Sequence, residues 1–269
     1  SALLHAYWNL ILKSAPDKAV AVMSIFFTSL PFALIGLAYG GVPKFESLPI
    51  ILLSSILHTS YNISLFKAYE IGQLSSIYPV ARGTAPLFIF VIGYVFFGSK
   101  ISNDIAIGII FICSGLITYG LLQLRRNRSN LTELKLALLN GLFIALYSLN
   151  DAFGTRMTGN ALSFLGMMAL FNRIFLFIYL YVFEKNFLPR FISGFECRFI
   201  LGGIISFICY VIVLAAYMHL PVAVVSTIRE TSVIFAVALG VIVLREKFVW
   251  DKFGLVVLVL VGLFILAPI

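Results

Sequence analysis

The chain has 269 residues, of which 61% are hydrophobic and 11% charged, and it carries a formal net charge of +8. A soluble core of this size cannot hide so much apolar surface, so the composition specifies a polytopic membrane protein with the lipid bilayer as its solvent. The excess positive charge sits mostly in short loops between apolar runs, where topology selects it, and a nucleic-acid partner is not expected.

The first apolar run, SALLHAYWNLILK, reaches roughly 20 Å at ~1.5 Å per residue against a hydrocarbon core of ~30 Å. The first span is therefore expected to be cut short at its N-terminal end, and it lacks the basic region and cleavage site of a signal peptide. Further spans are expected at 19–39, 47–68, 75–97, 104–123, 134–155, 162–183, 199–218, 222–244 and 251–268, which makes ten helices. The hydrophilic connector RRNRSNLTELK, residues 125–135, divides them into halves of five, residues 1–127 and 128–269. With an odd number per half, two halves of like fold lie inverted relative to each other. The expected fold class is all-α, ten transmembrane helices in two inverted five-helix repeats.

An internal repeat supports this division. Setting Arg82 on Arg229, one constant offset aligns Thr84 with Thr231, Phe88 with Phe235, Gly93 with Gly240, Lys100 with Lys247, Asp104 with Asp251 and Gly115 with Gly262. Aliphatic matches come easily in so apolar a chain, but matched Arg, Thr, Lys and Asp do not.

Lys and Arg collect in the loops after spans one, three, five, seven and nine, among them Lys13, Arg125, Arg126, Arg190, Arg198 and Lys247. The opposite loops hold Lys44, Lys100 and Arg156. The positive-inside rule then places the 125–135 connector in the cytoplasm and both termini outside.

A charge at the bilayer centre costs about 2.5–3.5 kcal/mol on insertion scales, so each deep charge needs a partner or a purpose. Arg82, Arg173, Arg229 and Glu230 are the deep ones. Inversion puts Arg82 and Arg229 on opposite sides of the midplane, ~12 Å apart by helix rise, where they could bracket an elongated anion or guard the ends of a cavity. The alternative is that each guanidinium snorkels or binds carbonyls at helix ends. Pro86 displaces the carbonyl of Arg82 and Pro79 that of Ser75, so the helix around Tyr78 to Arg82 is expected to bend. Glu230 is read either as the ion-pair partner of Arg173 or as a site for a substrate ammonium or a proton.

Trp8, Asn9, Tyr61, Asn62, Tyr147, Asn150 and Asp151 add polar and aromatic groups on spans one, three and six, as cavity lining or as interhelical glue and interfacial anchors. His5 and His58 read as satisfied core histidines, and Gly115 and Gly262 as close-packing positions. Cys113, Cys197 and Cys209 have no metal-type spacing, and neither a disulfide nor a metal is expected.

SALLHAYWNLILK, AYEIGQLSSIYPVARGTAPLF and STIRETSVIFAVALGVIVLREKF together resemble the EamA-like members of the drug/metabolite transporter superfamily. The resemblance covers the whole chain and implies ten helices in two inverted five-helix repeats. It matches the family's loop glutamate at Glu246, while the first half has Ser99 at that place. It also implies cytoplasmic termini, against the charge count, and orientation stays open between the two.

No HExxH, aspartate-rich pair, nucleophile elbow or P-loop is present in the sequence, which argues against an intramembrane enzyme. A signalling or assembly protein is the other alternative. The expectation is a secondary transporter without cofactor, a monomer or homodimer in the bacterial inner (cytoplasmic) membrane, moving a small polar metabolite by alternating access. An amino acid or other carboxylate or zwitterion is the expected substrate, held by Arg82, Arg229, Glu230, Arg173, Tyr78, Trp8, Asn9, Tyr61, Tyr147, Asn150 and Asp151. Proton coupling through Glu230, facilitated diffusion and metabolite exchange all fit.

Overall fold

The computed structural model describes residues 1–71, 74–98, 102–126, 131–235 and 250–266, excepting the side chains at 13, 69, 74–76, 97 and 250–253. All regular structure among them is helical: α1 (Ala2–Ser14), α2 (Lys18–Thr28), α3 (Leu30–Gly40), α4 (Leu48–Ile71), α5 (Leu74–Phe97), α6 (Asn103–Arg126), α7 (Leu131–Thr158), α8 (Ala161–Phe183), α9 (Phe187–Ser193), α10 (Arg198–Tyr217), α11 (Val222–Arg229) and α12 (Trp250–Leu266), with a single 3₁₀ turn at Phe45–Ser47. Seven segments are long and apolar enough to cross a bilayer: Lys18–Gly40, Phe45–Ala68, Ile77–Phe96, Asn103–Arg126, Leu131–Thr158, Ala161–Phe183 and Arg198–Tyr217. The chain is an integral multi-pass membrane protein.

Three of the ten expected spans do not reach that length among the described residues. Ala2–Leu12 and Gly254–Leu266 are shorter apolar helices, and the segment expected at 222–244 is described as far as Phe235. Ser99, Lys100, Gly240, Glu246 and Lys247, with 127–130 of the connector and the side chain of Asp251, lie outside the described residues.

Two expected spans are interrupted. The first, 19–39, is two helices meeting at Ser29, because Pro31 stands in the first turn of α3 and offers no N–H to the turn before it. The second break falls at Glu230–Thr231. Here the Glu230 N–H is shared between the Ser226 and Thr227 carbonyls at 3.3 and 3.0 Å, Thr231 bonds back three residues to Ile228 at 3.1 Å, and helix resumes at Ser232. The Thr227 hydroxyl, one turn before the break, donates to the Ala223 carbonyl at 2.6 Å and so competes with the backbone ladder.

Packing divides the chain into two compact units, each drawing on residues from both sides of the 127–130 segment. The first comprises residues 3–66 and 150–219 with Ser1. In it α3 packs on α8 and α2 on α10, around a core that includes Trp8, Ile25, Phe66, Leu176, Leu180, Phe187 and Phe199. The turn from α7 to α8 is written locally. Gly159 takes the left-handed conformation (φ 67°) that ends α7, and the Asn160 side chain accepts from the Leu162 and Ser163 N–H groups to start α8.

The second unit comprises residues 67–149 and 220–269 with Ala2, and α6 packs between α5 and α12. Small residues set these contacts. A Cβ at Gly262 would stand 2.9 Å from the Gly108 carbonyl, and one at Gly115 would stand 2.9 Å from Leu258 Cβ. Close helix approach therefore accounts for both repeat-matched glycines.

Candidate functional site

In the second unit, α5 carries Arg82 one turn after Tyr78 and α11 delivers Arg229 and Glu230 to the helix break. Arg82 is 1% exposed and Glu230 fully buried, and Arg82 Nη1 donates to Glu230 Oε1 at 3.1 Å. Arg229 Nε stands 3.9 Å from the same oxygen. The two guanidiniums thus converge on one carboxylate, and the ~12 Å spacing expected from helix rise does not carry over to the side chains. Tyr78 lies under the Arg82 guanidinium, 5.1 Å from ring centroid to Cζ, within the range of a cation–π contact.

Arg82 is held from two sides. Gly83 lets Leu116 and Ile117 of α6 come within 3 Å of where a Cβ would be, and Gly141 of α7 does the same for the Ala81 carbonyl at 2.9 Å. Both Pro79 and Pro86 lie inside α5, which runs as one helix from Leu74 to Phe97. The Thr84 hydroxyl donates back to the Val80 carbonyl at 2.8 Å, adding a side-chain bond where prolines thin the ladder.

Two cations face one anion here, and polar capacity is left over. Among the described residues Glu230 Oε2, Ser226 Oγ and Ser232 Oγ are buried with no hydrogen-bond partner. In a membrane interior such atoms are costly, so they mark a place where a polar ligand group would be favoured.

Glu230 pairs with Arg82 inside the second unit, and the Arg173 that was its expected partner belongs to the first. Arg173, in the first unit, donates through Nε to the Phe26 carbonyl at 2.6 Å and through its other nitrogens to the Ala169 carbonyl and the Ser29 hydroxyl. Phe26 and Ser29 lie at the α2–α3 interruption, where carbonyls lose their normal donors, and Ala169 is one turn back on Arg173's own helix, so Arg173 ties α8 to the broken helix.

The remaining expected residues divide between the units. Trp8 donates to His5 Nδ1 at 3.2 Å, and Asn9 donates to the His5 carbonyl of its own helix at 2.8 Å. Asn150 instead reaches across to the Ile50 carbonyl of α4 at 3.0 Å, so Asn9 and Asn150 do different jobs despite their similar sequence places. Tyr61 in the first unit and Tyr147 in the second are buried. Asn62 is buried in the first unit with its amide nitrogen lacking a partner among the described residues.

Asp151 is a fifth deep charge, and its surroundings are the main feature that sequence reasoning missed. It is fully buried on α7 and accepts from the Ser54 hydroxyl, from the Tyr210 hydroxyl, and from His58 Nε2 at 2.8 Å. Ser54 and His58 are one turn apart on α4, and Tyr210 comes from α10. The usable signal was the Asp itself: an acid in the middle of an apolar helix needs donors, and Ser54 with His58 at i, i+4 on another span is such a set.

Residues 131–267 match the model of the EamA-like transporter family. One solved crystal structure shares the fold with a TM-score of 0.74 over 99% of this chain and 94% of that one, at 13% identity. No curated protein matches the chain.

Proposed function

The chain belongs to the EamA-like transporter family and is a membrane transporter of the drug/metabolite type, and from that premise we propose that it is a secondary transporter of a small carboxylate-bearing metabolite, an amino acid or similar zwitterion. It works by alternating access in a bacterial inner membrane, with ten spans in two inverted repeats, residues 1–127 and 128–269, rocking around a midplane site.

The observation that carries this reading is the buried group Arg82, Glu230 and Arg229 at a broken helix. A zwitterion adds no net charge to it. Its carboxylate would take guanidinium donors, for which the arginine fork is shaped, while its ammonium would meet Glu230 Oε2. One ion pair becomes two or three, and the break at Glu230–Thr231 lets that carboxylate change partners without unwinding an intact turn.

The direct test is ligand-induced stabilisation of the purified protein across amino acids, organic acids, nucleosides and sugar phosphates. Zwitterionic carboxylates are expected to raise the melting temperature, and Glu230→Gln is expected to lose the response to amino acids while keeping that to simple carboxylates. Stabilisation by nucleosides alone would reject the assignment.

A further inference from the structure

We infer that Asp151 and His58, in the first packing unit, hold the proton that drives transport. The inference rests on the transporter reading above but assigns the proton to a site other than Glu230.

The chemistry separates the two buried acids. Glu230 Oε1 is held by guanidinium groups, which do not give up protons in proteins, so its partners cannot pass one on. Asp151 is held by the hydroxyls of Ser54 and Tyr210 and by the imidazole of His58, with no Lys or Arg among its partners within the described residues. Imidazole is the side chain whose charge ordinarily changes between about pH 5 and 8. With His58 neutral the group carries one negative charge in an apolar interior, and binding one proton removes it, whether the proton rests on the carboxylate or on the ring. Asp151 is fully buried, whereas His58 is 14% exposed. The Tyr210 hydroxyl stands 3.2 Å from His58 Nε2 and bonds the same Asp151 oxygen, with the two rings edge to face at 5.3 Å.

Two cations on the surrounding helices bond elsewhere. Arg173 of α8 binds Phe26, Ala169 and Ser29, and Arg156 of α7 donates to the Tyr217 carbonyl at the end of α10 at 2.8 Å. Neither bonds Asp151, so neither fixes it as a permanent anion.

The test uses the full chain in proteoliposomes with a mixture of radiolabelled amino acids. Net uptake is measured with a gradient of about one pH unit in each polarity, which at one proton per substrate supports up to roughly tenfold accumulation, and exchange is measured at equal pH. The wild type is expected to respond to one polarity. His58→Gln is expected to lose that response while keeping exchange within about twofold, Asp151→Asn to lose the response, and Tyr210→Phe to keep it. A gradient response preserved in both His58→Gln and Asp151→Asn overturns the inference. Wild-type protein with no flux in either mode would count against the proposed substrate class instead. The proton site is then read by infrared difference spectroscopy of the protein in lipid between about pH 8 and about pH 5. A carboxyl band lost in Asp151→Asn, or an imidazolium band that is lost in His58→Gln and altered in Asp151→Asn, supports it. The absence of both overturns it.

Discussion

The Arg82 guanidinium and the Glu230 carboxylate, 148 residues apart in the chain, meet at 3.1 Å with both side chains out of reach of solvent. Two charges that would each be unfavourable in an apolar interior are tolerable there because each is the other's counter-ion, and Arg229 Nε stands 3.9 Å from the same carboxylate oxygen.

Removing one member should therefore hurt more than removing both. Breaking a buried pair by deleting one partner costs about 3–5 kcal/mol, whereas replacing both with apolar residues can be near neutral. Glu230→Met alone, which leaves two buried guanidiniums without the carboxylate they share, is expected to lower thermal stability sharply, and adding Arg82→Met is expected to recover part of the loss. Additive losses in a double-mutant cycle would mean that the two side chains are not coupled.

Arg173 is expected to act on stability. Arg173→Ala removes the guanidinium donor from the Phe26 carbonyl and the Ser29 hydroxyl at the α2–α3 interruption, while the Ser29 hydroxyl still donates to Phe26, so a total loss of about 1–3 kcal/mol is expected. Unfolding in detergent is the measurement. A melting temperature equal to wild type would show that the tie is not needed.

Two glycines of α12 make an internal control. At Gly262 an added methyl would meet the Gly108 carbonyl at 2.9 Å, so Gly262→Ala is expected to destabilise by about 1–3 kcal/mol through overpacking. At Gly254 no atom of the described residues lies within 4 Å, and Gly254→Ala is expected to be neutral or to stabilise by up to about 1 kcal/mol. The reverse order of melting temperatures would mean that α6 and α12 are not packed as described.

Topology is tested separately. In a background without Cys197, which is exposed, Ser129→Cys in whole cells is expected to resist an impermeant thiol reagent, because the surrounding Arg125, Arg126 and Arg128 favour the cytoplasm. Ready labelling would reject the charge-based orientation.

The sequence displayed the spans well because some twenty consecutive apolar residues admit few other readings in water or lipid. Arg82, Arg229 and Glu230 were also visible, since isolated charges in apolar runs have no local explanation. Their partners were not. Which acid meets which base depends on helix packing, and local periodicity gave no reason to prefer Arg82 over Arg173 for Glu230. The break at Glu230–Thr231 was hidden because Ser and Thr are tolerated inside membrane helices. His58 looked like an ordinary core residue and Tyr210 did not stand out, because the acid that gathers them lies 93 and 59 positions away.

The central claim is that the Arg82–Glu230–Arg229 group binds the substrate's carboxylate, and transport by arginine-to-lysine variants tests it most directly. Lysine keeps the charge but loses the planar fork, and charge-assisted hydrogen bonds are worth about 1.5–3 kcal/mol, on the order of 10- to 150-fold in rate or affinity. Amino-acid uptake by proteoliposomes carrying Arg82→Lys or Arg229→Lys, normalised to folded protein, is expected to fall by at least about tenfold. Near wild-type uptake by both variants would contradict the account, leaving the arginines as structural counter-charges to Glu230.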